Sequence, residues 1–173
     1  EQFTIDTYIP ALAWGGHLSA AKRQAIARQL AHYTGVKAEK FLEYGLKISP
    51  QIFWKELLRD KGYTIGRLDS RYRGIDLLDG GDRPEYNSEL ISWEHSFTPA
   101  INWYMRNELN YKTDLEYYLF GPVHPWNRDG DNTGRNLMKA VAQNPYLHVL
   151  LQSGYYDGAC DYFNAKYNFW QMD

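Results

Sequence analysis

No stretch constrains the fold more than Leu147-His148-Val149-Leu150-Leu151-Gln152-Ser153-Gly154. A short, nearly continuous apolar run that closes on glycine suits a strand covered on both faces, as in a parallel sheet. Open α/β sheets gather their functional groups just beyond the carboxyl ends of such strands. Tyr155-Tyr156-Asp157 occupies that place, and the sequence from Asp161 onward reads as a helix. Two roles fit a carboxylate there. Asp157 caps the helix that follows, or it orients a histidine that activates a serine, as the third member of a hydrolytic triad. Position alone leaves both open.

Upstream, the punctuation is that of short helices. Residues 19–33 are alanine-rich, with Ile26, Leu30 and Tyr33 at helical spacing and Ser19 placed to cap the amino end. Thr34-Gly35 stops this helix, and a second is expected over 37–46. A third starts at Ser49-Pro50, a capping serine before proline in the first turn, and ends at Gly62. Glycine and charge dominate 63–86, which predicts a short strand over 63–68 and then a long loop. Thr98-Pro99 repeats the cap-plus-proline signal, with Ile101, Tyr104, Met105 and Leu109 as the apolar stripe. A strand is expected over 114–120 and a helix over 132–143.

The charge balance removes some partners. Nineteen Lys and Arg stand against 21 Asp and Glu, a net charge of -2, so no summed field argues for nucleic acid or an anionic membrane. The apolar residues 8–14 are too few to span a bilayer and follow no basic region, so no membrane partner is expected. One cysteine, Cys160, excludes an internal disulfide and a thiolate metal cluster but leaves the compartment open. Both ends fall in sequence that reads as structured, so a piece of a longer chain is expected.

The stretch Leu150-Leu151-Gln152-Ser153-Gly154-Tyr155-Tyr156-Asp157-Gly158-Ala159-Cys160-Asp161 resembles the serine carboxypeptidase family, whose catalytic-aspartate strand reads apolar run, then G-D-x-D-x-x-C-N. Gly154, Asp157 and Cys160 match, Tyr155 replaces the first Asp, and Asp161 replaces Asn. Phe53-Trp54-Lys55-Glu56-Leu57-Leu58-Arg59-Asp60 and Ile65-Gly66-Arg67-Leu68-Asp69-Ser70-Arg71 are similar to the F-x-x-E-L-L-R-D and V-G-R-L-D-S-R segments of bacterial carboxypeptidase-related proteins. The resemblance implies an α/β-hydrolase fragment. Residues 1–145 would be a predominantly helical cap region, and 146–173 a short strand-turn-helix segment of the hydrolase sheet. It further implies that Asp157 is catalytic, that Cys160 lines the substrate pocket, and that the substrate is a peptide cleaved from its carboxyl end through an acyl-enzyme, without cofactor. The parent would be secreted or periplasmic.

The rest of a triad is missing. No window supplies the G-x-S-x-G elbow that holds a nucleophilic serine on a strained turn, since Ser153-Gly154 lacks the earlier glycine. In α/β-hydrolases the order is Ser, then Asp or Glu, then His, and none of His17, His32, His95, His124 or His148 stands where the histidine belongs. This chain alone is therefore expected to be inactive, with its sheet edges available for self-association. A buried, inert thiol is the simpler account of Cys160.

Asn127, Asp129 and Asp131 imitate the first ligands of a calcium loop, but glycine falls at 130 and Met138 replaces the closing Glu, so a solvated turn is expected and no metal. The charges Arg67, Asp69, Arg71 and Arg73 read as surface ion pairs. Trp93, Trp103, Tyr104, Tyr117, Tyr118 and Trp126 carry a rival function, an aromatic-rich module that binds peptide or carbohydrate, although aromatics at helical spacing usually build cores.

Overall fold

The computed structural model of the protein describes residues 1–115, 117, 121, 124–130 and 132–172. It is mostly helical, with a small two-stranded antiparallel sheet. Two units divide the chain: Glu1–Ser88 with Tyr156–Ala159, and Glu89–Tyr155 with Cys160–Asp173.

In the first unit, a π-helical segment, Thr4–Tyr8, leads into α1, Ile9–Trp14. Helix α2 spans Ala20–Thr34. Its first turn leaves backbone N–H groups without helical partners; the Ser19 hydroxyl accepts one of them, from Lys22 at 3.3 Å. Gly35, at φ 80°, ends the helix in the left-handed region that costs glycine least. Both ends lie where the sequence signals place them. Helix α3 covers Ala38–Glu43 and α4 covers Pro50–Glu56, the latter capped by Ser49, which accepts the Ile52 N–H at 3.3 Å.

Ala11, Ile26, Ala27, Leu30, Val36, Phe41 and Leu46 form one buried core from α1, α2, α3 and their connections. Leu46 adopts φ 70°, which disfavours a branched side chain. It is held there from both sides: its N–H donates to the Phe41 carbonyl at 2.6 Å, and its carbonyl accepts the Tyr8 hydroxyl at 2.6 Å. Burial pushes the Tyr8 phenol above its ordinary pKa.

The β-branched pair in Thr64–Ile65 forms β1, which pairs with β2, Arg73–Gly74, through Thr64↔Gly74 and Ile65↔Arg73. The strand is shorter than the predicted 63–68, and its partner comes from the predicted loop. Gly74 is required by close approach, because a Cβ would lie 2.8 Å from both Ser88 Cβ and the Tyr86 hydroxyl. Beneath the loop, Lys55 and Asp76 make an ion pair of 2.5 Å with only 2% of either side chain exposed. Lys55 also donates to the Leu78 carbonyl at 3.0 Å, and Asp76 accepts the Glu85 N–H at 3.1 Å.

The second unit carries three helices among the described residues: α5, Ser88–Asn107; α6, Thr133–Gln143; and α7, Tyr162–Trp170. Helix α5 begins ten residues before the expected Thr98-Pro99 start and runs through Pro99. The proline lacks the N–H that would bond the His95 carbonyl, yet it bounds no helix here. Of the strand expected over 114–120, Asp114, Leu115 and Tyr117 are in none, and 116 and 118–120 lie outside the described residues.

The strand expected over 147–154 is a correction as well. These residues belong to no ladder, and Leu150 is 81% exposed. An apolar run becomes a strand only when a neighbour takes up its backbone groups, and no described segment pairs with it. No helix of the described residues is long and apolar enough to cross a membrane.

Candidate functional site

The site grows from the hairpin of β1 and β2 and from the turn Tyr156–Ala159, which belong to the same unit. Two backbone hydrogen bonds join them. The Ser70 N–H donates to the Tyr156 carbonyl at 2.9 Å, and the Gly158 N–H donates to the Arg67 carbonyl at 2.9 Å. Asp157 is the residue between these two anchors. Its side chain is half-buried, and Oδ1 accepts the Ala159 N–H at 2.8 Å, the short-range bond by which an aspartate stabilises its own turn.

Gly158 cannot be replaced without movement. A Cβ there would sit 2.6 Å from Trp54 Nε1 and 3.1 Å from the Arg67 carbonyl. The turn thus lies directly against α4 and the hairpin, and absence of a side chain permits the contact.

Arg71 ties the joint from the hairpin side. Its Nε and Nη2 bond the Asp69 carboxylate at 2.9 and 2.6 Å, the paired geometry natural to guanidinium and carboxylate. The Arg71 backbone N–H adds a third bond to Asp69 at 3.0 Å. The same guanidinium lies 4.9 Å from the centre of the Tyr156 ring. Hydrogen bonding from Arg71 holds the Asp69 carboxyl below the usual carboxylate range, outweighing the opposing desolvation. Arg73 rests on the Tyr63 ring at 5.3 Å. Of the four charges expected to pair at the surface, only Asp69 and Arg71 pair with each other.

The helix after the turn is capped by Asp161, which accepts the Asn164 N–H at 2.9 Å. Asp157 is therefore not the cap of α7, and one of its two sequence readings is replaced. Cys160 is exposed and forms no disulfide, contrary to the buried thiol anticipated as the simpler case, and its carbonyl accepts the Ser153 hydroxyl at 2.8 Å.

His17, His32, His95, His124 and His148 are all exposed, and among the described residues none is hydrogen-bonded to Asp157. The Asn127 carboxamide accepts the Asp129 N–H at 2.7 Å in an ordinary turn, while Asp131 lies outside the described residues. Among the described residues no group of three or more His, Cys, Asp or Glu could hold a metal ion. Trp103, Tyr104, Tyr117 and Trp126 are exposed, Trp93 is partly buried, and Tyr118 lies outside the described residues.

Sequence reasoning singled out Asp157 but not the backbone bonds on either side of it. Gly158 and Tyr156 carried the signal, a small residue and an aromatic on either side of a candidate carboxylate, yet their partners lie far away in the chain. The chain matches no protein-family model, no curated protein and no solved structure.

Proposed function

We propose that this chain supplies the orienting carboxylate and the helical cap of a serine-type carboxypeptidase, with nucleophilic serine and catalytic histidine contributed by sequence outside it. One observation supports the reading above the rest. The segments 65–71 and 154–161, which separately carry the family resemblance, meet in space through the Ser70–Tyr156 and Arg67–Gly158 backbone bonds. A turn tethered on both sides of Asp157 suits a group that must hold a histidine in one tautomer and steady its positive charge. Asp157 alone cannot attack a peptide bond.

The test uses this chain and a longer form that adds the flanking coding sequence. This chain should hydrolyse no peptide and take no fluorophosphonate label. The longer form should remove carboxyl-terminal residues, and Asp157→Asn should lower kcat on the order of 10⁴-fold by favouring the wrong tautomer, with the serine still present. Full turnover by the Asp157→Asn variant, or labelling of a serine within residues 1–173, overturns the proposal.

A second reading is favoured by the exposed aromatics of the second unit. Tyr111 and Tyr117 line a hollow of about 190 Å³ with Ile101 and Met105, a surface suited to stacking a sugar or an extended peptide. Quenching of tryptophan fluorescence by oligosaccharide in a longer form without hydrolase activity is the result that selects it.

A further inference from the structure

The charged residues of the segment 67–85 divide unevenly. Asp69 is taken by Arg71, Asp76 by Lys55, and Asp79 lies 3.8 Å from Arg59. The Glu85 carboxylate accepts the N–H groups of Leu77 and Leu78 at 2.9 and 3.1 Å, and Asp82 is hydrogen-bonded by the Tyr44 hydroxyl, whose pKa rises as a result. The acids are thus committed, but three of the bases, Arg67, Arg73 and Arg83, are not, and of these Arg73 rests on the Tyr63 ring. Arg67 and Arg83 have no carboxylate partner among the described residues.

Both arginines line one cleft of about 410 Å³ within the first unit, together with Gln51, Trp54, Asn87 and Gly158. Trp54 is only 7% exposed, and its indole Nε1 faces Gly158, where a Cβ would come within 2.6 Å. Nε1 is a donor only, and it has no acceptor among the described residues. The cleft is therefore lined by two arginines, a tryptophan and two carboxamide residues, with no acidic residue in its wall. Such a donor-rich hollow is completed by a ligand group that only accepts and carries negative charge. Its volume falls at the small end of the range for organic ligands.

We infer that this cleft is an oxyanion-binding site, in which Arg67 and Arg83 receive a carboxylate or phosphate group and the Trp54 indole N–H supplies a further bond. The inference needs no triad and does not depend on the peptidase reading. A side chain at Gly158 would collide with the Trp54 indole edge that lines the cleft. Pro50 and Pro84 give the cleft apolar wall beside its donors, so a small organic acid gains contact that a bare ion lacks.

Titration of the ¹⁵N-labelled full chain, followed through the Trp54 indole and arginine Nε resonances, tests this directly. N-acetyl-phenylalanine and inorganic phosphate are the oxyanion probes, and N-acetyl-phenylalanine amide is the uncharged control. A saturable shift of the Trp54 and Arg67 or Arg83 signals by an oxyanion, absent with the amide, is the expected result. Response to the acid alone assigns a carboxylate ligand, and response to phosphate alone assigns a phosphate.

Arg67→Gln and Arg83→Gln should each weaken binding by about tenfold or more, the typical loss of a charge-assisted hydrogen bond. Both side chains are exposed, so an unchanged thermal midpoint is expected and separates lost binding from lost folding. Equal binding of acid and amide, unchanged affinity in the double variant, or no shift with either oxyanion overturns the inference.

Discussion

Residues 1–88 enclose a core, whereas beyond Glu89 no described residue is fully buried. The contrast is not one of composition or of local helix signals. Helix α7 has an aspartate cap as sound as the serine caps of α2 and α4. What differs is where the apolar faces go. Ile26, Ala27 and Leu30 of α2 meet Phe41 and Leu46, while Ile91, Phe97 and Trp103 of α5 remain more than half exposed. Forming a helix and finding something to pack against are separate steps, and most helical stability in proteins comes from the second.

The sharpest way to break the comparison is to cut one side chain from each region. Phe41→Ala opens a cavity in the core and should destabilise the first unit by about 3–5 kcal/mol in urea unfolding. Leu150→Ala removes a side chain that is 81% exposed and should stay within about 0.5 kcal/mol. Equal losses would mean that the apolar run 147–151 is as well packed in solution as the core, and the contrast would fail.

The buried Lys55–Asp76 pair extends the comparison from apolar to charged groups. Asp76→Asn leaves the Lys55 ammonium without its counter-charge at a position that is 2% exposed, and such half-broken pairs lose about 3 kcal/mol or more. Replacing both together with apolar residues should recover much of that loss, because desolvation opposes the pair even when it is intact. If the single variant is neutral, the first unit is wetter beneath its loop than its core is beneath its helices.

Legibility in the sequence follows the range of each interaction. Ser19 and Gly35 announce α2 because a cap acts within one turn, and Ser49 does the same for α4. Thr98-Pro99 carries the same signature but misleads, since proline can lie inside a helix that other residues sustain. The run 147–154 reads as a buried strand because hydrophobicity is local, while the ladder that would bury it is not.

The same reasoning explains what was readable at the site. Asp157 is singled out by its neighbours in sequence, but its tether depends on Ser70 and Arg67, which no spacing rule links to Tyr156 and Gly158. The oxyanion cleft was less legible still. Arg67 reads as a surface ion-pair partner until each nearby acid is found to be bonded elsewhere.

The Asp69–Arg71 pair gives the smallest effect and tests the joint itself. Asp69 has a folded-state pKa below its unfolded value near ~3.9, so its contribution is fully present above that value. It declines as pH falls through ~4 and onward through the lower, folded-state pKa, where the carboxylate takes up a proton and releases Arg71. Arg71→Gln removes the pair at any pH. The urea midpoints of the two proteins should differ by a constant amount above about pH 5 and converge below about pH 4. The gap should be small and shrink with added salt, because the Arg71 side chain is 65% exposed. A pH-independent gap would mean that Arg71 contributes through its contact with Tyr156 instead of through Asp69, as an aromatic supplement to the two backbone bonds that tether Asp157.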